Sequence, residues 1–218
     1  MCGRFTLRTP PDVLMEAFDV AALPEFPLRY NIAPTHDVLI VRANGPDREA
    51  VLVRWGLIPF WAKEVSIGSR MINARSESVS EKPAFRVPFQ KRRCLVVADG
   101  YYEWRAEGAR KQPFLIHGDD DRPFAMAGLW DRWTGSEPPT ESCTIITTDS
   151  NAATRAVHDR MPVILDARDY PRWLDPDFRD TERLAAMLIP NESMAWRVDP
   201  VSSYVNNVRN QGPRCVEP

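Results

Sequence analysis

The second residue carries the densest chemistry in this chain. The opening Met1-Cys2-Gly3-Arg4 places a cysteine directly after the initiator, so loss of Met1 leaves an amine and a thiol on adjacent carbons. Unperturbed pKa values of about 8 for the amine and about 8.5 for the thiol leave both partly deprotonated near neutral pH, and each is then a nucleophile without drastic tuning. The amine condenses with an aldehyde to an imine, and the neighbouring thiolate closes onto the imine carbon to form a five-membered thiazolidine. Ring closure within one residue is strongly favoured by proximity. The alternative is that Cys2 is simply the second residue of a disordered chain start.

Further polar groups with chemical potential sit between apolar and aromatic neighbours. Asn73-Ala74-Arg75-Ser76-Glu77 sets an amide and a guanidinium two residues apart, so in an extended segment both point to one side, one to orient a substrate and one to hold a phosphate. Asp99-Gly100-Tyr101-Tyr102-Glu103-Trp104 flanks a carboxylate with rings, an environment that raises its pKa by desolvation and lets it donate as well as accept protons. An exposed acid at a strand end is the plainer reading. His158-Asp159-Arg160-Met161-Pro162 supplies a histidine among polar residues, suited to proton exchange at neutral pH, whereas His36 and His117 lack such a setting. Tyr30 to Thr35 and Trp55 to Ala62 each put aromatics beside a proline-fixed turn, as a stacking platform or as core. Arg86, Lys91, Arg92 and Arg93 form the densest basic run, read either as a solvated face or as a phosphate ligand.

These residues need a scaffold of short elements. The 218 residues suffice for one core, and a single domain over 1–218 is expected. A hydrophobic share of 44% and a charged share of 27% exclude a disordered chain, and a net charge of −2 excludes binding of nucleic acid by bulk attraction. A polyanion must therefore meet a local patch; 24 of the 28 basic residues are arginine, the side chain suited to bidentate phosphate contacts. Twenty prolines keep regular elements short. Thr9 before Pro10 and Pro11 reads as the hydroxyl cap of a helix through Phe18. Strand-like runs lie at 38–41, 51–55, 94–99, 114–116, 124–129 and 143–147, helical ones at 168–174 and 181–188, and a last strand at 196–198. Strands without regular helices between them predict an α+β fold, a single mixed domain whose curled, largely antiparallel sheet or barrel core carries short peripheral helices. The four cysteines are too dispersed for a zinc site, so neither metal, disulfide nor cofactor is expected. With no signal-like apolar run at the start and no membrane-length segment, a cytoplasmic protein is expected, nucleoid-associated if bacterial and by default monomeric.

In order along the chain, the Met-Cys-Gly-Arg start, the Tyr30 and Trp55 blocks, Asn73 to Glu77, Arg93 to Trp104, His158 to Pro162 and Val205-Asn206-Asn207 resemble the SOS response-associated peptidase (SRAP) family of abasic-site processing proteins. Departures are small: Val97 stands where proline often appears, Tyr101 where phenylalanine is common, and the Glu107 to Gln112 turn is short. The resemblance implies a protein of the DNA damage and SOS response that binds single-stranded DNA and links itself covalently, through Cys2, to the open-chain aldehyde of an abasic deoxyribose. It implies Asn73 as the positioner of the terminus and sugar, and Glu103 and His158 as movers of protons. It further implies Arg4 and Arg75 on phosphates, and Trp61 and Trp104 as stacking supports. Latent lyase activity, surfacing when the thiol is lost, and peptidase removal of Met1 belong to the same expectation.

Two other classes fit part of the pattern. An N-terminal-nucleophile glutamine amidotransferase also begins Met-Cys-Gly, with the amine as base, yet the Asn73, Glu103 and His158 segments have no natural role in glutamine hydrolysis. A non-catalytic single-strand binder needs only the aromatics and arginines. A Cys and His protease is a third reading, without a clear oxyanion-hole signature in the chain.

Overall fold

The computed structural model describes residues 2–218. Expectations about Met1 lie outside the described residues. The chain runs β1 (Arg4–Leu7), α1 (Pro11–Phe18), β2 (Arg29–Ile32), β3 (Asp37–Asn44), β4 (Asp47–Trp55), β5 (Asn73–Arg75), α2 (Arg86–Lys91), β6 (Arg93–Ala98), β7 (Gly100–Glu107) and β8 (Arg110–Gly118). It continues through β9 (Phe124–Trp133), β10 (Thr140–Asp149), β11 (Arg160–Pro162), β12 (Ile164–Leu165), α3 (Tyr170–Leu174), α4 (Thr181–Ala185) and β13 (Trp196–Pro200). Among the described residues no helix is long and apolar enough to cross a membrane.

The strands form two sheets. The first, in the order β13-β8-β7-β1-β2, is antiparallel throughout. The second follows β11-β10-β4-β3-β6-β9-β12. In it β10 also pairs with β9 and lies parallel to the end of β4 and to β5. The expected α+β class with curled, largely antiparallel sheets is what folds, although the sheets keep free edges and do not seal into a barrel. Apolar composition explains the order: all of Arg93–Ala98 is buried, so β6 lies between β3 and β9 with both faces covered. Across the interior Phe5 of β1 meets Trp55 of β4 edge to face, with ring centroids 5.1 Å apart.

Several local expectations change. Thr9 does not cap α1: the N-cap is Pro10 without a side-chain bond, and the Thr9 hydroxyl donates instead to Asp99 Oδ2 at 3.0 Å. A fixed tertiary acceptor displaces the local cap. The helical run expected to reach residue 188 keeps regular α geometry only over Thr181–Ala185. Strands β1, β2, β5, β11 and β12, too short for a periodicity signal, and β7, whose interior acid breaks the apolar pattern, went unread.

The basic run at 86–93 divides. Arg86 and Lys91 are exposed, and Arg92 pairs with Asp131 at 3.2 Å. Arg93 is buried, and its guanidinium donates to the carbonyls of Trp173, Phe89, Gln90, Asp175 and Phe178. Burial lowers its pKa to about 10, still above neutrality, so a cation holds α2 and α3 against β6. It is a structural staple and no phosphate ligand.

Candidate functional site at the chain start

The site gathers where the first residues meet β5, β7 and the loop before β11. The segment after β4 places β5. Gly56 has φ +124°, and a side chain there would meet the Gly68 carbonyl at 2.6 Å, so only glycine lets the 56–72 segment fold back this closely. The fold-back sets Asn73 opposite Ile145 of β10. From there Asn73 Nδ2 donates to the Cys2 carbonyl at 2.8 Å, fixing the backbone of that residue. Asn73 Oδ1 is buried with no hydrogen-bond partner among the described residues, an acceptor held open beside Cys2.

Cys2 itself is completely buried. Burial, reinforced by the nearby Glu103 carboxyl, pushes its thiol well above the ordinary cysteine range. That corrects the expectation of a partly ionised thiol: in this structure the sulfur is protonated at neutral pH, and its use as a nucleophile requires a proton acceptor.

Glu103 is the carboxyl near this thiol. Pairing of Arg4 with Tyr102 across β1 and β7 brings this part of β7 alongside the start of the chain. Strand alternation then turns Glu103 to the same face as Tyr101, into the interior. Glu103 is only 3% exposed, and burial raises its pKa. His158 Nε2 stands 4.0 Å from Glu103 Oε2. Its Nδ1 meets both the Arg160 backbone N–H and the Asp159 carboxylate at 2.9 Å. One nitrogen cannot accept from the first and donate to the second in one state. Asp159 is largely in solvent, whereas the Arg160 N–H is part-buried and its contact with Nδ1 orients the ring with Nε2 towards Glu103. The loop is held firmly, since Arg160 binds Glu77, Asp149 and the Thr147 carbonyl.

An open cleft leads to these groups, lined by Arg4, Glu103, Trp104, Lys111, His158 and Asn206. Arg4 donates to Asn31 Oδ1 at 2.8 Å, to the Val205 carbonyl at 3.0 Å and to the Asn206 carbonyl at 3.3 Å, and its guanidinium lies 5.9 Å from the Trp104 ring centre. Those bonds occupy three of its five donors. Trp104 Nε1 donates to Asn206 Oδ1 at 2.7 Å. Cys2, Asn73, Glu103, His158, Arg4 and Trp104 are thus brought together. Arg75 is exposed two residues beyond Asn73, without a side-chain partner among the described residues. Trp61 does not line the cleft: 47% exposed, it stands on the 56–72 segment beside exposed Phe60.

Sequence reasoning missed Asn31, Asp99 and Lys111. Buried Asn31 donates through Nδ2 to the carbonyls of Val205, Asn207 and Asn210, so the Tyr30 block ties the chain's last segment to β2 instead of offering a platform. An amide between Tyr30 and Ile32 in a strand was the available signal. His117, between Asp121 at 2.9 Å and Asp199 at 3.0 Å, is part of a separate cross-strand contact. A wider groove between α1, the β3–β4 turn and α3 is rimmed by Glu16, Asp19, Asp47 and Asp175, a charge unsuited to a polyanion.

A family model described as SOS response associated peptidase (SRAP) matches residues 1–208. The abasic site processing protein YoqW of Bacillus subtilis is 41% identical over 222 residues, covering 100% of this chain and 99% of its own. The abasic site processing protein HMCES of Mus musculus is 33% identical over 273 residues, covering 100% of this chain and 76% of its own. A crystal structure of a Bacteroides thetaiotaomicron protein superposes with a TM-score of 0.82 at 29% identity, covering 99% of this chain and 98% of that one.

Proposed function

Because the chain belongs to the SOS response associated peptidase family, we propose that it captures abasic sites in single-stranded DNA through Cys2, in a covalent thiazolidine that shields the lesion. The observation that carries this reading is the convergence on Cys2 of one amide and two proton carriers: Asn73 on its carbonyl at 2.8 Å, and Glu103 with His158 at 4.0 Å from each other. Three such groups around a buried thiol have no role in a simple strand binder.

The order of events follows from the protonation states. The thiol is held protonated, so the amine freed by loss of Met1 attacks first, at the C1′ aldehyde of the ring-opened sugar. Glu103, favoured in its acid form by burial, gives a proton to the departing hydroxyl, which leaves as water with formation of the imine. The imine forms with its nitrogen still protonated; the carboxylate left on Glu103 then accepts the thiol proton as sulfur bonds to the imine carbon, which restores the acid and leaves the ring nitrogen neutral. His158, partly exposed at the cleft, exchanges protons with the sugar oxygens during ring opening and reversal. The open Oδ1 of Asn73 accepts from the amine or a sugar hydroxyl. Arg4 retains donors for a phosphate beside the lesion, Arg75 meets another, and Trp104 and Trp61 support displaced bases. Removal of Met1 by the same groups gives the protein its peptidase character. It works as a monomer in the cytoplasm or at the nucleoid.

Cys2→Ala tests the chemistry directly. With Met1 removed, the variant keeps an amine and loses the sulfur, so the imine is not trapped and its acidified C2′ proton is open to β-elimination of the 3′ phosphate. We expect loss of the heat-stable adduct on an abasic oligonucleotide and the appearance of strand scission, read together on a denaturing gel. A stable adduct persisting in Cys2→Ala sinks the thiazolidine, and mass spectrometry of a competent protein still carrying Met1 sinks the amine.

A further inference from the structure

Lys111 belongs to two clefts at once. It lines the one that opens on Glu103 and His158, and also a second one along β8, between Arg110–Pro113 and the turn at Pro200–Ser203. Strand geometry explains the second cleft: β13 pairs with β8 only from Phe114 to Gly118, so the β8 edge before Phe114 is left without a neighbouring strand. The side chains of Arg110 and Lys111 are exposed there and have no hydrogen bond or ion pair among the described residues. The acid at the hairpin end, Glu107, is already neutralised by Arg105. Ser203 presents an exposed hydroxyl on the opposite wall. Two uncommitted cations and a hydroxyl along an open trough that shares Lys111 with the site suit a chain of phosphates, since each cation placed near a phosphate releases a condensed counterion.

We propose that this second cleft is a binding subsite for the DNA backbone on one side of the lesion, with Lys111 as the junction and Arg110 and Ser203 as its walls. The inference rests on the capture of abasic strands proposed above. It makes the protein asymmetric towards its substrate: nucleotides added on one side of the lesion enter the subsite, and those on the other side do not.

The test uses single-stranded oligonucleotides with one abasic site, lengthened on the 5′ or the 3′ side only, with the protein limiting and capture measured before saturation. For the unmodified protein we expect capture to rise with length more steeply on one side. Arg110→Glu removes that extra rise and leaves the shortest strand captured as before. Lys91→Glu, an equal charge change on α2 in neither cleft, preserves the rise. Arg110→Ala lowers the slope of log affinity against log salt by about 0.7, the value for one phosphate contact on a single strand. Equal effects of Arg110→Glu and Lys91→Glu, or an unchanged length dependence in Arg110→Glu, overturn the subsite alone, and leave an acidic polypeptide as the ligand to try there. Failure of the unmodified protein to retain any abasic strand overturns the capture reading and the subsite with it.

Discussion

Asp99 and Glu103 are two buried carboxyl groups four residues apart, and they differ in almost everything that matters. Asp99 is 2% exposed at the corner where the chain passes from β6 in one sheet to β7 in the other. It accepts from the Thr6 hydroxyl at 2.6 Å, the Thr9 N–H at 2.8 Å, the Thr9 hydroxyl at 3.0 Å, Arg8 Nε at 3.2 Å and the Arg8 N–H. Both of its oxygens are engaged by these donors, so the group ties the β6–β7 corner to β1 and to the residues just before α1. Glu103 is equally buried, but its environment raises its pKa, and its neighbours are a thiol and an imidazole. Burial alone therefore does not mark a functional acid. Burial with its ionised form left costly does.

The strongest way to break this contrast is Glu103→Gln, which keeps the shape and removes the proton. Capture of an abasic strand should slow by roughly 10²- to 10⁴-fold, as for loss of a general acid–base group, while the protein stays folded. Capture at the unmodified rate places Glu103 with Asp99 among the structural acids. Next in size, Asp99→Asn replaces an acceptor by an amide that cannot satisfy all these donors. It should destabilise by about 3 kcal/mol in urea or thermal unfolding, with capture by the remaining folded protein unchanged.

A pH series sharpens the comparison further. A carboxyl whose folded-state pKa is raised contributes stability that is present below its unfolded pKa and is lost as pH rises through the folded value. Glu103→Gln should therefore match the unmodified protein in acid and gain on it as pH rises above the ordinary carboxylate range. A gain that grows towards acid would reverse the sign and refute the desolvation account. The smallest effect is expected from Thr9→Val, which deletes one hydroxyl bond to Asp99 and should cost about 1 kcal/mol. Because that hydroxyl does not cap α1, the helical circular dichroism of the folded protein should not change.

The same contrast shows what can be read in a linear chain. Apolar runs announced β3, β4, β6, β8, β9 and β10, since continuous burial leaves a local compositional trace. Short strands such as β1 and β5 left none, because their pairing partners lie far along the chain: Phe5 meets Tyr101 and Asn73 meets Ile145. Cys2, Asn73, Glu103 and His158 stood out by residue type and by what surrounds them. Asp99 and Lys111 did not, for an acid beside a glycine and a lysine just after a hairpin turn are ordinary until their neighbours are known. Arg93 was grouped with a basic surface run, although only the carbonyls of α2, α3 and the following turn decide that it is a buried staple.

Residue order by itself determined the kind of chemistry on offer, a terminal amine and thiol with an amide, an acid and an imidazole in reserve, and the mainly β character of the scaffold. Those are properties of side chains and of local patterning. Only the tertiary structure decided that the thiol is protonated at rest, that Glu103 is buried with its pKa raised while Asp99 is a clamp, and that Lys111 lines two clefts. Each of these depends on desolvation or on contacts between residues tens of positions apart, and neither is encoded in any local window of the chain.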